Sequence, residues 1–306
     1  MRRSPMRSVF VFGFLPESSG KTVISSALAR GMVNRGMKTC VFKPRSGHNF
    51  WYQHDVFLKC KREGRLFCED IVKLRRACKC SLPIEVLNPV DALMSPLNVR
   101  GFLDRNAIRQ LYLFESDVFS HLVAERYTIC KDGIKHLFCI NMKALEARLV
   151  MTDLEYMRKL ERHADKVLYV NSADEWNSIF KDYSSEAIRS CYRKISEKAD
   201  YVIVEGFNDA VCPEKSLRYD LVIGVAPGVI IFYDAKNFHA VLETLEGLGK
   251  DPRSLRAEDV LKYLKKRGIL PIPALPSSCL KNYDSLSKKL DQAVDLCLQL
   301  TRGSED

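Results

Sequence analysis

Gly20-Lys21-Thr22 stands between an apolar run at residues 9–12 and a segment in which Val23, Ile24, Leu28 and Met32 recur at helical spacing. A loop in that setting points backbone N–H groups and a helix N-terminus at a polyphosphate. Lys21 would reach the outer phosphates, the Thr22 hydroxyl would reach a magnesium ion, and Glu17, Ser18, Ser19 and Gly20 would line the bound nucleotide. The common form of such a loop has glycine five positions before Gly20; here that residue is Leu15, and Gly13 lies two positions earlier. Gly-Lys-Thr also occurs by chance in surface loops, but rarely between a buried strand and an amphipathic helix.

Other residues could share the chemistry. Lys43 follows the apolar run 39–42, with Ser46-Gly47 behind it, and Glu205 follows the apolar run 201–204. A carboxylate placed directly after a buried strand is costly unless something pairs with it. Phe50-Trp51-Tyr52, flanked by His48 and His54, could stack a flat substrate or pin a lobe by packing, and either histidine could move a proton. Cys60, Cys68, Cys78 and Cys80 lie close enough in sequence to ligate a metal, but without paired Cys-x-x-Cys spacing; free thiols on a helical segment are the alternative.

Positioning these groups requires regular elements. Apolar runs at 9–12, 39–42, 136–140, 166–170, 201–204, 221–225, 229–232 and 269–271 alternate with helical patterns at 25–35, 153–163, 185–198, 240–248 and 257–267. Strands apolar throughout and separated by helices predict an α/β fold with a mainly parallel sheet covered on both faces. Ligands of such sheets bind at the carboxyl ends of strands, where Lys21, Lys43 and Glu205 would emerge. The strand signal fades at about 55–126, which predicts a helical lobe inserted after the second strand of a domain spanning 1–281. Residues 282–306 predict a C-terminal helix, with Leu286, Leu290, Val294 and Leu298 on one face, and a polar tail.

With 46% hydrophobic and 28% charged residues among 306, the chain has material for a large core. No apolar run is long enough for a signal peptide or a membrane span, so a cytoplasmic protein without a membrane partner is expected. A net charge of +10, concentrated at 59–65 and 73–79, suits anionic ligands such as nucleotides. A nucleic-acid partner rests on that charge alone, against the simpler reading of a solvated basic face.

Taken in chain order, these motifs resemble those of dethiobiotin synthetase and its relatives among the P-loop NTPases, a group that includes the cobyrinic acid amide synthases. Phe42-Lys43-Pro44 with Ser46-Gly47, Asn88-Pro89, Ser95-Pro96 and Val204-Glu205-Gly206 match the family's turns and strand ends. The resemblance spans roughly residues 8–245, with an insertion after Lys43. The segment Leu15-Pro16-Glu17-Ser18-Ser19-Gly20-Lys21-Thr22 is also similar to that of uncharacterised archaeal proteins described as predicted P-loop ATPases.

The resemblance implies a P-loop NTPase fold, ATP and Mg2+ as cofactors, and Lys21, Lys43 and Ser46 as catalytic residues. Lys43 and Ser46 would face the group that is phosphorylated, and Thr22, Asp70 and Glu205 would hold the metal. Phe207-Asn208-Asp209 stands where the family has two glycines, and residues 48–55 add an aromatic, polar segment where the acceptor would be recognised. The expected activity is phosphorylation of a carboxylate- or carbamate-like acceptor for ligation or cyclisation. A nucleoside triphosphate and a small anionic acceptor are the expected ligands, and a homodimer is left open. An NTPase switch acting on a protein or nucleic-acid partner is the competing reading.

Overall fold

In the computed structural model, residues 6–302 are described. The chain is α/β, with mixed sheets and helices on both sides, and it divides into two compact units. Unit 1 comprises Met1–Pro44, Asp70–Pro83 and Tyr192–Asp306; unit 2 comprises Arg45–Glu69 and Ile84–Cys191.

Unit 1 is built on β1 (Arg7–Gly13), β2 (Thr39–Phe42), β8 (Tyr201–Glu205), β9 (Leu221–Ala226), β10 (Val229–Tyr233) and β11 (Lys266–Pro271), in the order β11-β10-β9-β1-β8-β2. The neighbours β9, β1, β8 and β2 are parallel, while β10 and β11 are antiparallel additions at one edge. β1 is central, so Val9, Phe10, Val11 and Phe12 are wholly buried, which is why this strand reads as a continuous apolar run. Val11 aligns with Glu205 and Phe42 with Val204, so β1, β8 and β2 finish at one end of the sheet. Helix α1 (Lys21–Asn34) starts from that end and packs against the helices Tyr283–Lys289 and Asp291–Arg302. Leu286, Leu290, Val294 and Leu298 are all buried, as their spacing predicted.

Unit 2 is built on β3 (Arg45–Asn49), β4 (Val90–Met94), β5 (Leu122–Ile129), β6 (Lys135–Asn141) and β7 (Lys166–Val170), in that order. The outer pairs β3–β4 and β6–β7 are parallel, and the pairs β4–β5 and β5–β6 are antiparallel. The helices α2 (His54–Glu63) and Leu154–Arg162 belong to the same unit.

Several expectations are corrected here. The runs 136–140 and 166–170 form β6 and β7 of the second sheet rather than joining the first, because an apolar run reports burial and not which sheet buries it. The lobe expected to be helical at 55–126 contains β4 and much of β5. Both carry charges inside the strand, Asp91 in β4 and Glu125 with Arg126 in β5, and these interrupt the apolar signature although all three are buried. β3 was missed because its sequence, RSGHN, is polar throughout. The helix expected at 257–267 is only Ala257–Val260 and one 3-10 turn, Leu261–Tyr263, before β11 begins at Lys266. The terminal helix is interrupted at Leu290, and the end of its expected tail lies outside the described residues.

Candidate functional site

At the carboxyl end of β1 the chain turns through residues 14–20 and enters α1 at Lys21. Ser19 closes this loop on itself. Its buried hydroxyl donates to the Leu15 carbonyl at 2.8 Å and accepts from the Leu15 N–H at 3.2 Å. Ser18 and Gly20 both have left-handed backbones, at φ 55° and 90°, the second of which favours glycine. Gly13 is required for a different reason: a Cβ there would stand 2.5 Å from Ser19 Oγ and 2.9 Å from Lys21 Nζ. The Lys21 ammonium therefore folds back over the loop that precedes it. Glu17, Ser18 and Gly20 are exposed, and Ser19 is buried with its side chain already engaged.

Four residues distant in sequence meet beside this loop. Lys43, in the turn after β2, places its ammonium 2.7 Å from Glu205 Oε1 at the end of β8 and 3.0 Å from Asp70 Oδ2. Asp70 enters from the first turn of α3 (Glu69–Cys78). The Thr22 hydroxyl, in the first turn of α1, donates to Glu205 Oε1 at 3.0 Å and is within hydrogen-bond reach of Asp70 as well. Glu205 is completely buried, and its Oε2 has no hydrogen-bond partner.

The electrostatics follow from this crowding of charge. Burial and the neighbouring Lys43 charge push the Lys21 ammonium below its ordinary pKa, partly offset by Glu205, Asp70 and Asp209. The Lys43 charge, outweighing burial, holds the Asp70 carboxyl below the usual carboxylate range.

These groups form a donor set of two carboxylates and a hydroxyl, all hard oxygen, with one carboxylate oxygen buried and unpartnered. Such a set fits Mg2+, which keeps waters and takes phosphate oxygens instead of a full protein cage. Among the described residues no cluster of three or more His, Cys, Asp or Glu side chains is arranged to hold a metal. The positive charge between Asp70 and Glu205 is the Lys43 ammonium.

Ser46 belongs to unit 2. It lies on β3 of unit 2, where its hydroxyl donates to Asp91 Oδ1 and accepts from Asn88 Nδ2 at 2.9 Å. His48 Nδ1 lies 3.3 Å from Asp91 Oδ2, and Ser46, His48, Asn88 and Asp91 are all buried. These bonds account for Ser46 structurally, in a turn whose Lys43 half belongs to unit 1. Sequence reasoning did not single out Asp91, a buried carboxylate inside the run Val90-Asp91-Ala92-Leu93.

The aromatic segment divides between its two readings. Phe50 packs on Phe57 with ring centroids 5.0 Å apart, while Trp51 and Tyr52 remain 56% and 82% exposed. The four cysteines do not assemble. Cys60 belongs with Cys68 to unit 2 and donates to the Phe67 carbonyl, whereas Cys78 and Cys80 belong to unit 1, where Cys80 faces Cys40. Among the described residues no helix is long and apolar enough to cross a membrane. The chain matches no protein-family model, and no curated protein matches it.

Proposed function

We propose that this chain is a Mg2+-dependent ATP-binding enzyme of dethiobiotin synthetase-like type that phosphorylates a carboxylate- or carbamate-like acceptor. The observation that carries the reading is the convergence of Thr22, Lys43, Asp70 and Glu205 at the carboxyl ends of parallel strands, next to a loop over which Lys21 is folded. Asp70, Glu205 and Thr22 would hold the metal, and when bound it supplies positive charge to the phosphate oxygens. Lys21 balances charge on the β- and γ-phosphates, and the backbone of residues 14–20 cradles them. Lys43, whose ammonium lies beside Asp70 and Glu205, would neutralise the acceptor oxyanion and the transferring phosphoryl group. The bond from the γ-phosphorus to the bridging oxygen breaks, a bond to the acceptor oxygen forms, and an amine or other nucleophile then displaces phosphate. Ser46 is not needed in this scheme.

An NTPase switch is the second reading, and one observation favours it: Lys43 is held by both carboxylates instead of being presented to an acceptor. Calorimetric titration of the wild type and Lys21→Ala with Mg·ATP tests the nucleotide site, and binding is expected to be lost in the variant. Phosphate release with and without small carboxylates and amines separates the two readings. Slow basal hydrolysis stimulated by an acceptor supports the enzyme, and rapid acceptor-independent hydrolysis supports the switch. Unchanged nucleotide affinity in Lys21→Ala overturns both.

A further inference from the structure

Unit 1 brings three thiols together away from the residues assigned above. Cys40 is on β2, Cys78 is the last residue of α3, and Cys80 follows two residues later, after Lys79 turns the chain at φ 54°. The Cys40 and Cys80 sulfurs are 3.4 Å apart, and Cys78 is hydrogen-bonded to Cys80 as well. Cys40 and Cys78 are buried; Cys80 is half-buried and is the member solvent can reach.

The three are not equivalent. Cys80 meets both neighbouring thiols and the Leu82 N–H, and the Arg75 guanidinium lies nearby, bonded to the Leu82 carbonyl at 3.0 Å. Those contacts favour negative charge on Cys80 and hold its thiol below the ordinary value. The hydrogen bond with Cys80, together with burial, pushes the Cys40 thiol up. Burial alone pushes Cys297 up to about 12, and it is the main cause at Cys60, Cys139 and Cys212, which reach about the same value. Thiolate reactivity is therefore concentrated at one accessible sulfur, with a second sulfur in van der Waals contact.

We propose that Cys80 is a hydroperoxide-reactive thiol and that Cys40 resolves it to an intramolecular disulfide. The Cys80 thiolate attacks the distal oxygen of a hydroperoxide; the O–O bond breaks, the sulfur is oxidised to a sulfenic acid, and the other oxygen leaves as water or an alcohol after taking a proton. The Cys40 sulfur then attacks the sulfenic sulfur, forming the S–S bond and expelling water. The approach needed is small, from 3.4 Å to a bond of about 2.05 Å. The bond would join β2, which leads into Lys43, to the segment following α3, which carries Asp70. The proposal rests on the thiols alone and is independent of the nucleotide reading.

Treatment of the purified full-length protein with hydrogen peroxide, followed by thiol counting and peptide mapping, tests it. Two of the eleven thiols are expected to disappear, with a Cys40–Cys80 crosslink that dithiothreitol reverses. Cys40→Ser is expected to accumulate a dimedone-reactive sulfenic acid at Cys80, and Cys80→Ser to give neither product. The other close pair, Cys130 and Cys191, also 3.4 Å apart in unit 2, is the internal comparison. Oxidation of that pair while Cys40 and Cys80 stay reduced overturns the proposal, as does a Cys78–Cys80 link. Zinc bound by these cysteines in the protein as isolated overturns it too. Because the mapping is done on the wild type, a variant that fails to fold does not blunt the test.

Discussion

Replacing Lys43 by methionine keeps most of the side-chain volume and removes a charge that two carboxylates share. In the wild type the ammonium is 2.7 Å from Glu205, whose side chain is 0% exposed, and 3.0 Å from Asp70, which keeps 39% of its surface. Lys43→Met leaves Glu205 buried with only the Thr22 hydroxyl on Oε1 and nothing on Oε2. Breaking a buried pair by removing one partner costs about 3–5 kcal/mol. Asp70 adds little, since water screens a carboxylate that open and exposed pairs are worth about 0–1 kcal/mol. At about 2–4 °C per kcal/mol for a domain of this size, the midpoint should fall by roughly 6–20 °C in EDTA. The metal reading then makes a sharper statement. A divalent cation can replace the missing charge between Asp70 and Glu205, so Mg2+ should stabilise Lys43→Met, by about 2.7 kcal/mol at one hundred times its dissociation constant, and the wild type by less. Thermal unfolding by circular dichroism, with and without Mg2+, measures both quantities. A variant that melts with the wild type would mean that Lys43 does not neutralise Glu205. Equal stabilisation of the two proteins by Mg2+ would mean that the carboxylates are an ion-pair partner and nothing more.

Thr22→Val should weaken Mg·ATP binding more than it weakens binding of metal-free ATP, because it deletes one oxygen donor and leaves Lys21 in place; titrations in Mg2+ and in EDTA compare the two. Ser46→Ala should lower stability by about 1–3 kcal/mol, by leaving Asp91 short of a donor in the core of unit 2, and should leave nucleotide affinity unchanged; a loss of affinity would return Ser46 to the site. Glu85 supplies a pH signature. Burial pushes its carboxyl up, but the Arg65 fork at 2.6 and 2.7 Å and the Arg126 charge outweigh it and bring it down to about 2. Its folded value is thus below its unfolded value of about 4.3, so its contribution is complete above that pH and is lost as pH falls through about 2. Glu85→Gln should flatten acid unfolding across that window, and an unchanged acid transition would show that the Arg65 pair is energetically idle.

What the sequence disclosed depended on whether the determining interaction was local. Lys21, Lys43 and Glu205 could be read because each sits beside a run of apolar residues, and the end of a buried strand is visible within five or six positions. Asp70 is not of that kind. It opens a helix with no strand before it, and only the resemblance singled it out; its place beside Lys43 is fixed by chain that returns from an intervening segment. Ser46 shows a different dependence. Three residues after Lys43 it looks like a partner in the same chemistry, yet β3 begins at Arg45 and carries Ser46 into the buried set formed with Asn88 and Asp91.

The second sheet was hidden for a physical reason rather than by weak signal. β4 and β5 pair most of their buried charge internally: Arg126 donates to the Leu66 and Asn88 carbonyls at 2.9 and 2.7 Å, and Glu125 accepts from Trp176 Nε1 at 2.5 Å and from the Tyr127 hydroxyl, while Asp91 Oδ2 and Glu125 Oε1 have no hydrogen-bond partner. A strand whose polar groups find partners in the fold does not have to look apolar, so periodicity underestimates it. Glu205 resembles Asp91 and Glu125 in leaving one oxygen unpartnered. Its Oε1 is bonded to Lys43 and Thr22, yet its Oε2 is buried with no partner at all. Unit 2 shows that this sequence can satisfy a buried arginine through carbonyl oxygens drawn from distant positions. What sets Glu205 apart from Asp91 and Glu125 is its company: its Oε1 is shared by the Lys43 ammonium and the Thr22 hydroxyl, with Asp70 on the same ammonium, where β1, β8 and β2 end, and the proposed cation rests on that convergence rather than on the unpartnered oxygen.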